Sequence, residues 1–262
     1  MKTIIKIILL IILTTSFESY SNELLKTAIQ NPNRKNENTE RDNFRNPLET
    51  LTFFGIKDKM KVLEVSPGNG WYSEILSFYL KNSKGYYVTK YKKPPIKIIE
   101  TNQKKFEDYF NKNIDNFGEV KSIYFNDKNI LDSKVKDFDM VLTFRNTHNW
   151  LSSNTAENVY KSIHKIMKKG AILGVVQHRA DKKSEYDYKN GYVKQSFLID
   201  FIESQGFKFI SKSEINANPK DTKNYEKGVW TLPPRLILGD KNKNKFLLIG
   251  ESDRMTLKFI KP

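Results

Sequence analysis

Residues Lys61–Leu76 constrain the fold of this chain more than any other stretch. A short apolar run, Val62–Val65, breaks at Pro67–Gly70 and is followed by the apolar spacing of a helix. A strand, a glycine turn and a helix in this order form a unit that binds nucleotide-like ligands at the carboxyl edge of a parallel sheet. The stretch therefore predicts both a fold class and a class of ligand.

Apolar runs alternate with helical patterns through the rest of the chain, which predicts a doubly wound, mostly parallel α/β sheet. The stretch Asn216–Lys245 contains Pro219 and Pro233-Pro234, and it reads as an irregular insertion before the last strand. The seven predicted strands are Lys61–Val65, Tyr86–Tyr91, Lys121–Phe125, Phe138–Phe144, Ala171–Gln177, Phe207–Ile215 and Met255–Ile260.

The first residues have the pattern of a secretory signal peptide, which we place at residues 1–21. Lys2 and Lys6 form a positive start, Ile7–Leu13 is the apolar centre, and Ser19-Tyr20-Ser21 resembles a small-x-small cleavage site. The apolar stretch is shorter than the ~20 residues of a spanning helix, which favours cleavage over an uncleaved anchor. The sequence thus predicts an exported protein of the periplasm or cell envelope, with no stable membrane span after cleavage.

The mature chain divides into two parts. Residues 22–45 are predicted to form an N-terminal helix and a polar linker, because Asn31–Asn43 is almost entirely polar or charged. Residues 46–262 are long enough for one α/β domain with a sizeable core. No pattern in the sequence indicates an oligomeric state.

The chain is basic, with a formal net charge of +15. Such an excess can indicate nucleic acid, an anionic membrane or an acidic partner. The lysines are spread through all surface-like segments, however, which favours a general compositional bias. Nucleic acid as a partner is not predicted, because it conflicts with the signal and no localised aromatic–basic face is evident. The absence of cysteine excludes disulfides and thiolate metal ligands.

The spacing of the glycine turn distinguishes between ligands. A dinucleotide fingerprint needs G-x-G-x-x-G, and Ser66–Ser73 reads SPGNGWYS, which does not match. The spacing Glu64-x-Ser66-x-Gly68-x-Gly70 instead resembles motif I of class I S-adenosylmethionine-dependent methyltransferases. Ser66 stands where that family commonly has its first glycine.

Later segments extend this resemblance. FDMVLTF is similar to the family's fourth strand, IMKKGAILGVV to its fifth-strand segment and GFKFISKSE to the opening of its sixth strand. Together, RNTHNWL, HRA, INANPKDT, GVWTLPP and GESDRMTLKF resemble an exported branch of predicted methyltransferases over Arg41–Pro262. The resemblance implies a methyltransferase-like domain at 46–262 with the Rossmann-like methyltransferase fold. It also implies S-adenosylmethionine-dependent methyl transfer to a small or envelope-associated acceptor.

The resemblance further implies which residues bind S-adenosylmethionine. The turn would surround its methionyl part, and the acid after the third strand would lie near the adenine. The second strand departs from the family, because Val88-Thr89-Lys90-Tyr91 has no acid for the ribose hydroxyls and Thr89 accepts only part of that role. The predicted cofactor-binding residues are Glu64, Ser66, Gly68, Gly70, Thr89 and Asp127.

Two of the three histidines follow the fourth and fifth strands, where ligands bind in open α/β sheets. His148 and His178 are therefore candidate catalytic bases, which would take a proton from the attacking nucleophile. The alternative is that they are hydrogen-bonded structural residues at strand ends. His164 lies within a helical segment and is predicted to be structural. No metal site is predicted, because the histidines lack a ligand-like spacing.

Arginine is rare in this lysine-rich chain and stands beside the motifs. Bidentate binding of a carboxylate or phosphate favours arginine over lysine, so Arg145 is a candidate substrate-binding residue. Trp150 and Tyr192 are candidate walls of the same pocket, although simple packing is the alternative. Arg254 is predicted to pair with Glu251 or Asp253 and to fix the C-terminal segment.

Two functions from different classes remain open at this stage. The first is an exported methyltransferase with a small-molecule substrate and S-adenosylmethionine as cofactor. The second is a non-catalytic envelope binding module that uses the same fold for another small ligand. The missing acid at Thr89-Lys90 favours the second function, and the set of motifs favours the first.

Overall fold

The computed structural model describes residues 21–132, 134–183 and 188–262. Residues 1–20 of the predicted signal peptide lie outside this part of the chain.

The described residues form one mixed α/β sheet with helices on both faces. The strands are β1 (Val62–Val65), β2 (Tyr86–Tyr91), β3 (Val120–Phe125), β4 (Leu131–Asp132), β5 (Phe138–Phe144), β6 (Met167–His178), β7 (Lys208–Ser213) and β8 (Arg254–Ile260). The helices are α1 (residues 21–29), α2 (Asn36–Thr39), α3 (Asp42–Arg45), α4 (Pro47–Phe54), α5 (Trp71–Tyr79), α6 (Lys97–Lys112), α7 (Ile114–Phe117), α8 (Thr147–Ser152), α9 (Ala156–Ile166), α10 (Gln195–Glu203) and α11 (Lys243–Ile249).

The strand order is β4-β3-β2-β1-β5-β6-β8-β7. Strands β3, β2, β1, β5 and β6 are parallel, whereas β8 runs antiparallel to both β6 and β7. The predicted doubly wound, mostly parallel sheet is therefore confirmed with all seven strands, and the two-residue β4 is an additional edge strand. The order reverses between β1 and β5, so the crevice at their carboxyl ends is the expected ligand site.

The predicted insertion before the last strand is present but is not wholly irregular. It contains a short 3-10 turn at Gly228–Thr231, and α11 begins at its end. Its Pro234 lies over the crevice. The insertion therefore contributes to the wall of the site.

The sheet buries side chains on both faces, which explains the apolar runs of its central strands. Leu63 and Val141 pack into one cluster with α9 and α10, and Leu142 packs into the other with α4 and α5. All four residues of β1 are buried. The strands that end at the crevice are therefore held rigidly by two cores.

The segment predicted to be a linker is instead packed on the domain. Arg34 is fully buried and donates from Nη1 and Nη2 to the two oxygens of Asp42, at 2.7 and 2.9 Å. The indole of Trp71 donates to the carbonyl of Asn38 at 2.6 Å. Residues 31–45 thus form a docked arm beside the start of α5, because their polar groups find partners in one another and in the domain.

This arm should unfold together with the domain. Arg34 also lies 3.7 Å from Glu74 on α5, so Arg34→Met leaves two carboxylates without their cation. We expect a loss of about 3 kcal/mol in the free energy of unfolding, measured by chemical denaturation. Lys104→Met removes an exposed pair with Asp108 and should cost about 0.5 kcal/mol or less. Equal costs for the two variants would show that the arm is not part of the cooperative unit.

Candidate functional site

The glycine turn joins β1 to α5 in a left-handed backbone. Ser66 has a φ of 54° and Gly68 a φ of 60°. The turn is held from two sides: the amide of Ser66 donates to Thr89 Oγ1 at 2.7 Å, and Asn146 Nδ2 donates to the carbonyls of Val65 and Ser66 at 3.0 and 3.1 Å. Neighbouring strands therefore fix the turn before any ligand binds. Sequence reasoning missed Asn146, although its place after β5 is a signal for this edge.

A first cavity of about 900 Å³ lies over the carboxyl ends of β1, β2, β3 and β5. Ser66 and Gly68 form one side. Its walls combine the apolar side chains of Ile99, Phe106 and Trp150 with the charged side chains of Lys90, Lys93 and Asp127. The cavity is large enough for a drug-sized or nucleoside-sized ligand.

A second cavity of about 600 Å³ adjoins the first. It is lined by the arm and by the residues after β5, including Arg41, Arg45, Trp71 and Arg145. The two cavities share Ser66, Pro67, Gly68, Asn102, Phe106 and Asn146. They therefore meet at the glycine turn.

Four of the six predicted cofactor residues line the first cavity: Ser66, Gly68, Thr89 and Asp127. The other two differ from the prediction, because Glu64 and Gly70 lie behind the turn. The Glu64 carboxylate accepts hydrogen bonds from Ser73 and Tyr86. A Cβ added to Gly70 would come within 3.1 Å of the rings of Phe106 and Phe110. Glu64 and Gly70 thus shape the turn from inside the protein.

Burial gives Glu64 an unusual protonation equilibrium. Its side chain is removed from solvent, and this desolvation raises its pKa from 4.5 to about 7, although the hydrogen bonds from Tyr86 and Ser73 oppose the shift. The carboxyl group therefore titrates near neutral pH while it supports the turn.

The end of β2 carries Lys90, and it lacks the acid of the methyltransferase family, as its sequence predicted. Lys90 is buried, and its Nζ lies 2.5 Å from Glu107 Oε1 on α6. Thr89, which was predicted to replace part of the acid, uses its hydroxyl oxygen to accept the Ser66 amide. Gln103 on α6 holds both the amide and the carbonyl of Tyr91, at 2.8 and 3.2 Å. This end of β2 is therefore fixed to α6 by polar contacts that the local sequence does not reveal.

The two histidines come together, with ring centroids 5.5 Å apart. His148 Nδ1 lies 3.1 Å from the side-chain nitrogen Nε2 of Gln177, and His178 Nδ1 lies 2.5 Å from the Ser252 hydroxyl. Neither histidine is among the residues that line the first or the second cavity. Their placement differs from that expected for catalytic bases that flank the ligand crevice.

Both imidazoles are uncharged at neutral pH. Burial lowers the pKa of His148 to about 4, with a further contribution from the charge of Arg145. Burial, His148 and Arg145 likewise hold the pKa of His178 well below its usual value. Groups with such low pKa values are weak bases at neutral pH.

The predicted substrate residues separate from one another. Arg145 lines the second cavity, and Trp150 lines the first. Tyr192 is buried, and its hydroxyl lies 3.0 Å from each carboxylate oxygen of Asp221. The burial of Tyr192 and its contact with Asp221 explain this residue without a ligand.

Sequence reasoning missed a group of arginines beside the second cavity. Glu251 lies 2.6 Å from Arg41, 3.3 Å from Arg45 and 2.9 Å from Arg254, so the expected pairing of Arg254 is present. Burial alone would raise the pKa of Glu251, but the charges of Arg45, Arg254 and Arg41 lower it to about 2. Arg145 stands beside this group. The pairs of Arg41 and Arg45 with Glu251 span about 200 residues of sequence, so no local pattern predicts these two.

The part of the chain that is described contains no cluster of three or more histidine, cysteine or acidic residues that could hold a metal ion. Within the same residues, no helix has the length and hydropathy that a membrane crossing requires.

Comparison with known proteins identifies the fold. The chain is similar to a SAM-dependent methyltransferase from Aquifex aeolicus, with a TM-score of 0.57, 13% identity, and coverage of 85% of this chain and 93% of that chain. It is also similar to the glycopeptide N-methyltransferase MtfA complexed with S-adenosyl-L-homocysteine, with a TM-score of 0.52, 12% identity, and coverage of 82% of this chain and 87% of that chain. A third similar structure is the [4+2]-cyclase SpnF, with a TM-score of 0.55, 12% identity, and coverage of 84% of this chain and 81% of that chain. No family model and no curated protein matches the sequence.

These similarities establish the Rossmann-like methyltransferase fold for this chain. The identities are low, and one neighbour is named as a cyclase, so the fold alone does not specify the reaction.

The buried Glu64 predicts a pH dependence of stability. Its folded pKa of about 7 lies above its ordinary value of 4.5. Its contribution to the free energy of unfolding is therefore fully present below pH 4.5 and is lost as the pH rises through 7. Glu64→Gln cannot titrate, so the stability difference between wild type and variant should change by up to about 3 kcal/mol between these pH values.

Denaturation curves at a series of pH values measure this difference. The matched control is Glu157→Gln, which removes an exposed carboxylate from α9 and should leave the slope unchanged. A Glu64→Gln variant with the same pH slope as wild type would contradict the assignment.

Proposed function

We propose that the protein is an S-adenosylmethionine-dependent methyltransferase that acts on a small or envelope-associated acceptor. The observation that carries this proposal is the pair of cavities that meet at the glycine turn. One cavity has the size and the lining for the cofactor, and the other opens beside it for the acceptor. Methyl transfer needs this arrangement, because the nucleophile must be placed in line with the methyl group.

The residues of the first cavity fit S-adenosylmethionine. A Cβ added to Gly68 would meet nothing within 4 Å, so the turn presents bare backbone to the cavity. Ile99 and Trp150 offer apolar walls for an adenine ring, and Asp127 offers an acceptor for its amino group. Gly68 and Ser66 would hold the methionyl part, and Thr89 would face the ribose.

The bound cofactor would supply an activated methyl group, whose transfer leaves a neutral thioether. The contribution of this chain is mainly to orient the reactants, because the turn is fixed by Thr89 and Asn146 before binding. His148 and His178 line neither cavity, so we propose that they act through the residues around the acceptor cavity. Their low pKa values make positioning a larger part of their role than proton removal.

A binding module without catalysis is the second candidate. The observation that favours it is Lys90, which places a cation where the methyltransferase family has the acid for the ribose. A ligand with a negative charge that shares the Lys90 ammonium with Glu107 would suit this position better than a ribose does.

A matched pair of glycine variants tests the proposed function. Gly68 and Gly239 have φ values of 60° and 61°, and a Cβ at either would meet nothing within 4 Å, but only Gly68 is among the residues that line the described cavities. Gly68→Ala places a methyl group in the cofactor cavity and should weaken binding of S-adenosylhomocysteine about tenfold or more. Gly239→Ala carries the same backbone strain and should bind as wild type does.

Isothermal titration calorimetry with S-adenosylmethionine and S-adenosylhomocysteine measures these affinities. Absence of heat and of thermal stabilisation with wild type at millimolar ligand would contradict the methyltransferase proposal and favour the binding module. Equal losses in the two glycine variants would show that strain, not cavity occupancy, weakens binding.

We further propose that the protein acts outside the cytoplasm, in the periplasm or cell envelope. The support is the signal pattern of residues 1–21, together with the helix at residues 21–29, which places Leu25 and Ala28 in the core. Cleavage after Ser21 would keep both core residues. N-terminal sequencing of the protein from a periplasmic fraction should begin at Asn22, and an intact Met1 in the cytoplasmic fraction would contradict export.

A further inference from the structure

The arginines around the second cavity outnumber the carboxylates that pair with them. Arg41, Arg45 and Arg254 share the single carboxylate of Glu251, at 2.6 to 3.3 Å. Arg145 is coupled electrostatically to the same carboxylate and to the other cations. Four guanidinium groups and one carboxylate leave three positive charges in this group.

Arg145 is the member whose presence packing does not explain. Within the described residues, the guanidinium of Arg145 forms no hydrogen bond and no ion pair, while its backbone amide donates to the carbonyl of Val176. Its side chain lines the second cavity. Burial, together with the charges of Arg254 and Arg41, lowers its pKa to about 10, and Glu251 opposes the shift, so it stays charged at neutral pH.

Arg45 supplies a second unused donor. Its side chain is 3% exposed and stacks on the Trp71 ring, with Cζ 4.6 Å from the ring centroid. Nε pairs with Glu251, but Nη1 is buried with no hydrogen-bond partner among the described residues. Leaving a buried charged donor unpaired costs free energy, so a ligand that accepts from it would gain this energy on binding.

A purely structural role accounts for only part of the group. The pairs of Arg41, Arg45 and Arg254 with Glu251 join the arm to the start of β8. Arg145 adds repulsion to this joint and no pair of its own. A fourth cation at the wall of a cavity is therefore better explained by a ligand than by the joint.

We propose that the second cavity binds an anionic acceptor, a small molecule whose carboxylate or phosphate group accepts hydrogen bonds from Arg145 and Arg45. Planar guanidinium groups match such oxyanions in bidentate geometry. The claim that this ligand is the methyl acceptor rests on the proposed function, whereas the claim that an oxyanion binds here does not. The inference gives the acceptor a chemical class.

A second source of the same chemistry is the methionyl carboxylate of the cofactor, because the two cavities meet at the turn. The two sources differ in one measurable respect. A separate acceptor binds together with S-adenosylhomocysteine, whereas an anion that occupies the carboxylate position competes with it.

The experiment is calorimetric titration of the full mature chain with inorganic phosphate and with succinate, each with and without saturating S-adenosylhomocysteine. At least one anion should bind in both conditions. Arg145→Met should weaken binding of that anion about tenfold or more. Arg145→Lys keeps the charge but loses the planar guanidinium, so its affinity for the anion should lie between those of wild type and Arg145→Met. The affinity for S-adenosylhomocysteine should stay within about twofold of wild type, the scale of an exposed charge contact.

Arg235→Met is the matched control, because it removes an exposed arginine outside the residues that line the two cavities. It should bind the anion as wild type does. If Arg145→Met does not fold, Arg41→Met serves instead, since the Arg41 side chain is 23% exposed.

Two results would overturn the inference. The first is that neither anion binds to wild type in either condition. The second is competition between anion and S-adenosylhomocysteine, together with a matching loss of S-adenosylhomocysteine affinity in Arg145→Met, which would assign the arginines to the cofactor's carboxylate. Anion binding that depends on Arg145 in a protein without affinity for S-adenosylhomocysteine would refute the proposed function and leave the anion site standing.

Discussion

The site depends on the ion pairs that the buried carboxylate of Glu251 forms with three arginines. This carboxylate joins Arg41 and Arg45 of the N-terminal arm to Arg254 at the start of β8. Without this anion, several guanidinium groups would repel one another in a site with little access to water. The cluster therefore fixes the arm at the wall of the second cavity and leaves an excess of positive charge there.

The turn at Ser66–Gly68 is the second element of the account, and it is stabilised by different means. Thr89 and Asn146 hold its backbone from the neighbouring strands, and Glu64 supports it from below. Since these contacts exist without a ligand, the turn is organised before binding. Such preorganisation reduces the cost of ordering a site when the ligand arrives.

Periodicity and turn chemistry were sufficient to predict the sheet. The run Phe138–Phe144 and the turn after Val65 carry local signals, and both lie where they were expected. The docked arm was not predictable in this way, because Arg34 lies beside Glu74 and the carbonyl of Asn38 accepts from Trp71, and both partners belong to α5. A polar segment with internal partners has the same composition as a linker.

The site could be predicted to a limited depth for the same reason. Residues at strand ends were placed at the correct edge, and Gly68, Thr89 and Asp127 line the first cavity. Which side chains point into a cavity depends on contacts between elements that are distant in sequence. Glu64 turns toward Tyr86, and Lys90 pairs with Glu107, so neither contact is visible in motif spacing.

The fold is shared with proteins of different named activities, so the function has to be tested at the two cavities. The most direct measurement is a crystal structure of the chain with S-adenosylhomocysteine and phosphate. We expect S-adenosylhomocysteine in the first cavity, with its sulfur at the turn beside Gly68, and phosphate on Arg145. Phosphate on Lys90 in the first cavity, with the second cavity empty of both ligands, would contradict it.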